Sequence, residues 1–432
     1  MTSKFSKTLK GIHVPHHKNT EENDTVTMPV PKQVVIARSQ HMGPPCEAQV
    51  KVGDEVKVGQ VIGDSTAFLS VPIHSSVSGK VKNIADILMP SGNRVPSVVI
   101  DADGLQTPAE GIAPPKVTDK ESFIAAVRSS GLVGLGGAGF PAHIKFNPKQ
   151  QVDTLIINSA ECEPYITSDY RTVMEDENDL LDGISYIMKY VGINKCIIGI
   201  EDNKPKAITK LSGILPAGVS VASLDAVYPK GAEKVIIYET TGRITPEGKL
   251  PADVGVIVVN VTSAAFLGQY MRNGMPLIGK RVTVDGEAVK TPQNVRAFIG
   301  TSIKDLLEFS GGYKSEPKKL LYGGPMMGIA VHDDSYPILK NTNAVIALSA
   351  SQVKMYAETV CIRCGRCIRT CPINLMPMRI DNCYTKNDME GLRKYKVNLC
   401  MECGSCAYAC PAKKHLVQTH RLAKAKLQKE GR

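Results

Sequence analysis

The sequence predicts a multidomain protein of mixed α/β and α+β class. Three observations lead there. The 432 residues exceed what one hydrophobic core usually fills. The hydrophobic pattern changes along the chain, from short alternating runs to alternating strand and helix periods. Eight of the 12 cysteines crowd into two tight groups, at 361–371 and 400–410. The expected units are 1–110, 111–250, 251–315, a connecting segment at 316–350, and 351–432.

Composition narrows the class further. With 43% hydrophobic and 22% charged residues the chain reads as an ordinary globular protein, not a disordered one. No apolar run reaches the length of a membrane span, since the most apolar stretches, 254–261 and 154–158, are strand-sized. Met1-Thr2-Ser3-Lys4-Phe5 has no apolar signal core behind it, so the cytoplasm is the expected compartment. Cysteines in that setting point to metal or redox chemistry more than to disulfides.

Positions 29–100 are rich in Val, Gly and Pro, with alternations such as Ala48-Gln49-Val50-Lys51-Val52 and Gly79-Lys80-Val81-Lys82, so short β-strands are expected. The string Val52-Gly53-Asp54-Glu55-Val56, continuing through Gly59-Gln60-Val61-Ile62-Gly63 to Pro72-Ile73-His74-Ser75, resembles the lipoyl/biotinyl barrel-sandwich domains. Those domains carry their prosthetic arm on a hairpin lysine. The intervening 64–71 contains no lysine, which leaves the module a structural role.

A Pro- and Gly-containing linker at 109–116 precedes a helix over 120–130, a Gly-rich loop at 131–139, a strand over 153–158, a helix over 175–191, a strand over 196–200 and a helix over 205–211. That rhythm predicts an α/β sheet domain. From 251 to 312, strands over 254–261 and 280–284 and helices over 263–273 and 302–310 suggest a compact α+β unit. A helical stretch is expected after Ser349, leading into the cysteines.

The cysteines form two matching motifs, Cys361-x-x-Cys364-x-x-Cys367-x-x-x-Cys371-Pro372 and Cys400-x-x-Cys403-x-x-Cys406-x-x-x-Cys410-Pro411. This is the bacterial ferredoxin run, in which the fourth cysteine ligates the other cubane. The expected ligand sets for two [4Fe–4S] clusters are therefore Cys361, Cys364, Cys367 and Cys410, and Cys400, Cys403, Cys406 and Cys371. Gly365 and Gly404-Ser405 let the backbone fold close over inorganic sulfide. Paired Cys₄ zinc sites are the alternative, but they usually place two C-x-x-C knuckles well apart. Cys383, Cys46, Cys162 and Cys196 fall outside both spacings and read as buried thiols.

The loop Gly131-Leu132-Val133-Gly134-Leu135-Gly136-Gly137-Ala138-Gly139-Phe140-Pro141 presents backbone amides able to cradle phosphate. It follows no clear strand, as a dinucleotide fingerprint would, and no Gly-Lys-Ser/Thr follows it. Gly134–Pro141 with Lys145 resembles the FMN-binding loop of the NADH-oxidising flavoprotein subunit of respiratory complex I, and Asn158-Ser159-Ala160-Glu161-Cys162-Glu163-Pro164 resembles that family's Asn-Ala-Asp-Glu-x-Glu-Pro stretch. The resemblance implies Gly134, Gly136, Gly137, Gly139, Lys145, Asn158, Glu161 and Glu163 near FMN, Phe140 and Glu163 facing NAD(H), and Asn260 as a further flavin contact. Ala160 stands where that family has aspartate. Without the resemblance, Glu161 and Glu163 read equally well as solvated loop carboxylates.

The order of units resembles the C-subunit family of the Rnf complexes, ion-translocating NAD:ferredoxin oxidoreductases. Gly11-Ile12-His13-Val14-Pro15-His16-His17-Lys18, Tyr228-Pro229-Lys230-Gly231-Ala232-Glu233-Lys234, Leu250-Pro251-Ala252-Asp253-Val254-Gly255 and Gly323-Gly324-Pro325-Met326-Met327-Gly328 carry the likeness. It implies a β barrel-sandwich hybrid N-terminal domain, a Rossmann-like FMN/NADH-binding α/β domain, an SLBB-type β-grasp module and a C-terminal two-cluster ferredoxin-like helical domain. It also implies a peripheral subunit on the cytoplasmic face of the bacterial cell membrane, exchanging electrons with membrane-embedded subunits and the ferredoxin-type B subunit. A carrier of one or two electrons is needed between nicotinamide and clusters, and FMN fits that place. A flavin-free iron–sulfur adaptor is the competing reading.

The net charge of +10 suits an acidic protein, anionic lipid, nucleic acid or simply water. The basic tail, Lys413-Lys414-His415 and 421–429, reads as an exposed helix end. Aromatic content of 5% and the absence of tryptophan argue against single-strand binding, so no nucleic-acid partner is expected.

Overall fold

The computed structural model describes residues 9–430, so the opening residues 1–5, on which the signal-peptide expectation falls, lie outside the described residues. Near the N-terminus, strands Gln33–Ala37, Arg94–Ala102, Gly79–Leu88 and Glu55–Val56 form one antiparallel sheet, and Glu47–Ala48, Val61–Asp64 and Ile73–His74 a second. Val34, Ile36, Ile62, Ile73, Val98 and Ile100 are fully buried in their common core. Each is worth roughly 1.5–3 kcal/mol relative to exposure. A one-residue slip would turn a whole strand's set outward, so the apolar alternation sets the register. Asp64, at the hairpin tip, pairs with Arg128 at 2.7 Å and ties the sandwich to the next layer.

That layer is a four-stranded parallel sheet in the order Val219–Leu224, Lys195–Glu201, Thr154–Ser159, Val256–Asn260. Apart from the edge strand Val219–Leu224, its strands are near-continuous apolar runs, as a sheet covered on both faces requires. Thr154–Ser159 is first in the chain yet lies inside, with the second and third strands on one side and the fourth on the other. The strand order reverses beside it, and open α/β sheets bind ligands at such a switch point, beyond the carboxyl ends of the strands. Helices Glu177–Val191 and Val261–Asn273 cross in close contact on one face. A Cβ on Gly183 would come within 1.9 Å of the Ala264 carbonyl, so the crossing depends on that glycine.

Order in the chain alone places the strand expected over 254–261 and the helix expected over 263–273 in the α+β unit beginning at 251. The structure corrects this: Val256–Asn260 pairs with Thr154–Ser159, and Val261–Asn273 packs on the α/β layer. Sequence position alone does not reveal a strand's sheet partner. The α+β unit is instead a six-stranded mixed sheet in the order Val26–Thr27, Gln293–Phe298, Gly279–Asp285, Ala344–Leu348, Lys319–Tyr322, Ile329–Val331, backed by helix Ile303–Phe309. Three of these strands come from 316–350, which therefore is not a mere connection. Arg281, 2% exposed, donates to Thr25 Oγ1, Thr172 Oγ1 and Glu175 Oε2 and locks this sheet onto the α/β layer.

The C-terminal part is built from short helices Arg366–Arg369, Pro377–Thr385, Met389–Lys394 and Ser405–Tyr408 and the longer Leu416–Glu430. The helix expected after Ser349 does not form; 349–365 carries neither helix nor strand. The basic tail is helical, but one face is packed, with Leu416, Val417, His420, Ala423 and Leu427 buried. Among the described residues no helix is long and apolar enough to cross a membrane.

Candidate cofactor sites

The switch point of the parallel sheet gathers the residues expected near a flavin. Asn158 and Asn260 are opposite one another at the carboxyl ends of the two adjacent strands. Asn260 caps helix Val261–Asn273 by accepting from the Ser263 N–H at 3.3 Å, and its amide donates to Asp169 Oδ2 at 2.7 Å. Asn158 donates to the Gly231 carbonyl at 2.8 Å and accepts from the Ala160 N–H at 3.2 Å. Both side chains are therefore fixed before any ligand arrives.

The Gly-rich loop arches over this point. Its neck is closed by the Gly134 N–H donating to the Phe140 carbonyl at 2.9 Å, and Phe140 itself is half-buried. Gly136, Gly137 and Ala138 are exposed at the tip. A Cβ on Gly136 would stand 2.5 Å from Asn260 Nδ2, whereas one on Gly137 would meet nothing within 4 Å. Gly136 is thus required by contact with the strand end, while Gly137 faces open space. Gly139 adopts φ +70°, where a side chain would be strained.

Two buried lysines that no local signal singles out hold the loop from beneath. Lys340 Nζ donates to the carbonyls of Gly131 at 2.7 Å and Pro72 at 3.0 Å. Lys280 Nζ donates to the Leu135 carbonyl at 3.3 Å and to Asn343 Oδ1 at 2.7 Å. Burial pushes both ammonium groups down to about 7. A lysine in or beside a strand ordinarily signals an exposed position, which hides both from a reading of the sequence.

Three charged residues carried over by resemblance occupy distinct places. Lys145 Nζ donates to the Val258 carbonyl at 2.8 Å and lies 3.7 Å from Glu233 Oε2, so its charge sits beside the middle of the fourth strand. Glu161 is turned into the first turn of helix Ser168–Glu175, accepting from the N–H groups of Asp169 at 2.7 Å and Tyr170 at 3.2 Å. Burial raises its carboxyl, opposed by Lys18. It supports Asp169, which also takes the Thr262 hydroxyl at 2.7 Å and so braces Asn260. Glu163 reaches the other way, accepting from the N–H groups of Met326 at 3.0 Å and Met327 at 2.7 Å. Lys18 Nζ stitches this turn together by donating to the carbonyls of Glu161, Glu163 and Ile166.

Glu163 leads toward the cysteine segment, because Met326 also packs on the second motif. A Cβ on Gly404 would stand 3.2 Å from the Met326 carbonyl. Beside it, Tyr228, 2% exposed, donates its hydroxyl to the Cys403 carbonyl at 2.6 Å and packs with Ile12, Val14 and Cys162. Ile12 and Tyr228 exchange backbone hydrogen bonds of 2.9 and 3.0 Å. Two strings distant in sequence, 11–18 and 228–234, thus meet between the crevice and the second motif.

All 12 cysteines are free thiols, and Cys46, Cys162, Cys196 and Cys383 are buried, as expected of them. Cys371, Cys400, Cys403 and Cys406 line one pocket, together with Gly404 and Ser405. Four thiols around one space are the donor set that a [4Fe–4S] cubane takes. Cys371 of the first motif thus stands with three cysteines of the second. Burial, then the neighbouring Cys400, Cys403 and Cys371, push the Cys406 thiol up. Thiols held neutral in this way bind metal with release of protons.

The two motifs also share a backbone. Arg363 and Glu402 have φ of +56° and +58°, Gly365 and Gly404 +71° and +84°, Asn374 and Lys413 +56° and +52°. A left-handed non-glycine residue costs about 1–2 kcal/mol, and its recurrence at equivalent positions marks a functional constraint. The conformation turns amides onto sulfur: the N–H groups of Arg363 and Glu402 donate to Cys361 and Cys400 Sγ, each at 3.4 Å. His420 from the last helix lies 3.3 Å from Cys400 Sγ, a neighbour that the motif spacing could not reveal.

Comparison with known proteins agrees with this geometry. Family models match over 6–105 (RnfC barrel sandwich hybrid domain), 127–268 (Nuo51 FMN-binding domain), 281–330 (SLBB domain) and 354–411 (4Fe-4S dicluster domain). The match over 127–268 takes in the glycine loop, Asn158 and Asn260. FMN and two [4Fe–4S] clusters are therefore cofactors of this fold, and nothing supports the flavin-free adaptor. The chain is 41% identical over 429 residues to the C subunit of the Na(+)-translocating ferredoxin:NAD(+) oxidoreductase complex of Acetobacterium woodii, covering 96% of each. It is 41% identical over 374 residues to the C subunit of the proton-translocating ferredoxin:NAD(+) oxidoreductase complex of Clostridium ljungdahlii, covering 85% of this chain and 82% of that one. It is 39% identical to the C subunit of the ion-translocating oxidoreductase complex of Rhodobacter capsulatus, covering 96% of this chain and 82% of that one. With this identity over nearly its whole length, the chain belongs to the C-subunit family of the ion-translocating ferredoxin:NAD(+) oxidoreductase complexes.

Proposed function

We propose that this chain exchanges hydride with NAD(H) at FMN held in the switch-point crevice and relays single electrons through two [4Fe–4S] clusters to or from other subunits of an ion-translocating complex. The observation that carries the reading is the fixed Asn158–Asn260 pair beneath an exposed glycine tip, in which Gly136 is pressed against Asn260. When bound, FMN supplies the conversion between a two-electron hydride and single electrons.

The chain's own groups hold and orient. The backbone of Gly134, Gly136, Gly137 and Gly139 offers close approach and donors, and Lys145 supplies a fixed positive charge for the anionic parts of the flavin. Asn158 and Asn260 set its orientation, with Glu161 acting through Asp169. Phe140 and Glu163 form the nicotinamide side. Cys400, Cys403, Cys406 and Cys371 hold the cluster nearer the crevice, a place supported by the Tyr228–Cys403 and Met326–Gly404 contacts. Cys361, Cys364, Cys367 and Cys410 hold the outer one.

The partners proposed are the membrane-embedded subunits and the ferredoxin-type B subunit, with this chain attached peripherally at the cytoplasmic face of the bacterial cell membrane. Anaerobically purified protein should release FMN, contain about eight irons per chain, and bleach its clusters on addition of NADH. Gly136→Val should lose flavin while keeping iron. Iron without flavin in the unmodified chain would reduce it to a conductor.

A further inference from the structure

Four large apolar side chains stand in water within eight residues: Met355 at 82% exposure, Tyr356 at 55%, Val360 at 86% and Ile362 at 68%. The segment is pinned in place. The Thr359 N–H donates to the Ala412 carbonyl at 3.0 Å, Glu358 pairs with Lys414, and the Lys413 ammonium lies 4.6 Å over the Tyr356 ring. Apolar surface left in water forgoes the stabilisation of burial, and four such side chains held out on one pinned segment mark a contact surface.

Its surroundings say what kind. Lys354, Arg363, Arg366 and Arg369 are exposed around it, and the one carboxylate in 349–370, Glu358, is already paired with Lys414. A basic rim around an apolar centre complements an acidic protein surface. In the middle lies Cys364, the exposed ligand of the outer motif. Through Cys364 the first motif itself reaches the surface at this face.

We propose that the face formed by 354–366 docks an acidic protein that carries a one-electron centre near its own surface, and that the outer cluster exchanges electrons there. The inference rests on the reading that the first motif holds a cluster. One electron leaves the reduced centre of the partner and one arrives at the outer cluster, with no bond made or broken.

The test uses the full, cluster-loaded chain and a two-cluster bacterial ferredoxin as acidic probe, reduced with dithionite and freed of excess reductant. Stopped-flow reoxidation of the ferredoxin should be at least tenfold slower with M355E/V360E than with the unmodified chain, and should slow in both as salt is raised. F68E, at an apolar residue 77% exposed on the N-terminal sandwich, should leave the rate unchanged. Bleaching by NADH should be unaffected in both variants. An unchanged ferredoxin rate in M355E/V360E would overturn the proposal. So would loss, in that variant, of binding to phosphatidylglycerol vesicles with the ferredoxin rate intact, which would make lipid the occupant. If NADH fails to bleach even the unmodified chain, the flavin reading fails while the ferredoxin comparison still decides the docking face.

Discussion

Arg363-Cys364-Gly365 and Glu402-Cys403-Gly404 trace the same left-handed turn, yet one is open to water and the other is walled in by Met326, Tyr228 and the last helix. Spacing within a motif fixes the local turn and the direction of the sulfurs. Tertiary packing then decides which loop is walled in beside the crevice and which is left open. On the proposed relay, near-identical loops thereby take different places, the inner one through burial and the outer one through exposure.

The largest effect that can break this comparison is expected at Cys371. It belongs to the first motif in sequence but lines the cavity of the second. Cys371→Ala should remove the inner cluster, leave the outer one, and bring iron from about eight to about four atoms per chain, as read by iron analysis and electron paramagnetic resonance. Loss of the outer cluster instead would refute the crossed ligation.

A smaller difference is expected between the two glycines. Both are left-handed, so each change to alanine costs about 1–2 kcal/mol in backbone strain. A Cβ at position 365 would approach only the flexible Arg369 guanidinium, at 3.4 Å, whereas one at 404 would meet the Met326 backbone carbonyl at 3.2 Å. Gly404→Ala should therefore lower the thermal unfolding midpoint more than Gly365→Ala. Equal losses would mean that Met326 does not press on the inner loop.

The smallest effect is expected from Tyr228→Phe, which deletes the hydrogen bond to the Cys403 carbonyl, worth about 0.5–1.5 kcal/mol. Redox titration should show a shifted potential for the inner cluster and an unshifted one for the outer. A shift in both would mean that Tyr228 acts on the segment as a whole.

What could be read from the sequence follows the range of the interactions. The two four-cysteine loops were legible because such a turn is specified within a dozen residues. The glycine loop was legible as a cradle, and its partners Asn158 and Asn260 through resemblance to a known family. Their pairing across two strands was not, because a strand's neighbour in the sheet leaves no local mark. The same limit assigned Val256–Asn260 to the wrong layer and left the short strands of 316–350 unseen. Glu161 illustrates a second limit: a carboxylate that supports a helix turn and one that faces a ligand look alike in sequence. Lys280, Lys340, Tyr228 and His420 act through contacts with carbonyls or sulfur far away in the chain, and nothing in their own neighbourhood announced them.

The order of the relay is tested most directly by adding NADH anaerobically to flavin-loaded Cys371→Ala and Cys364→Ser and following each remaining cluster by rapid-mixing absorbance and freeze-quench resonance. Cys364→Ser should keep an inner cluster that NADH reduces as fast as in the unmodified chain. Cys371→Ala should keep an outer cluster that dithionite reduces but that NADH reduces at least 100-fold more slowly. Rapid reduction of the outer cluster by NADH when the inner one is missing would place the outer cluster beside the flavin and reverse the order.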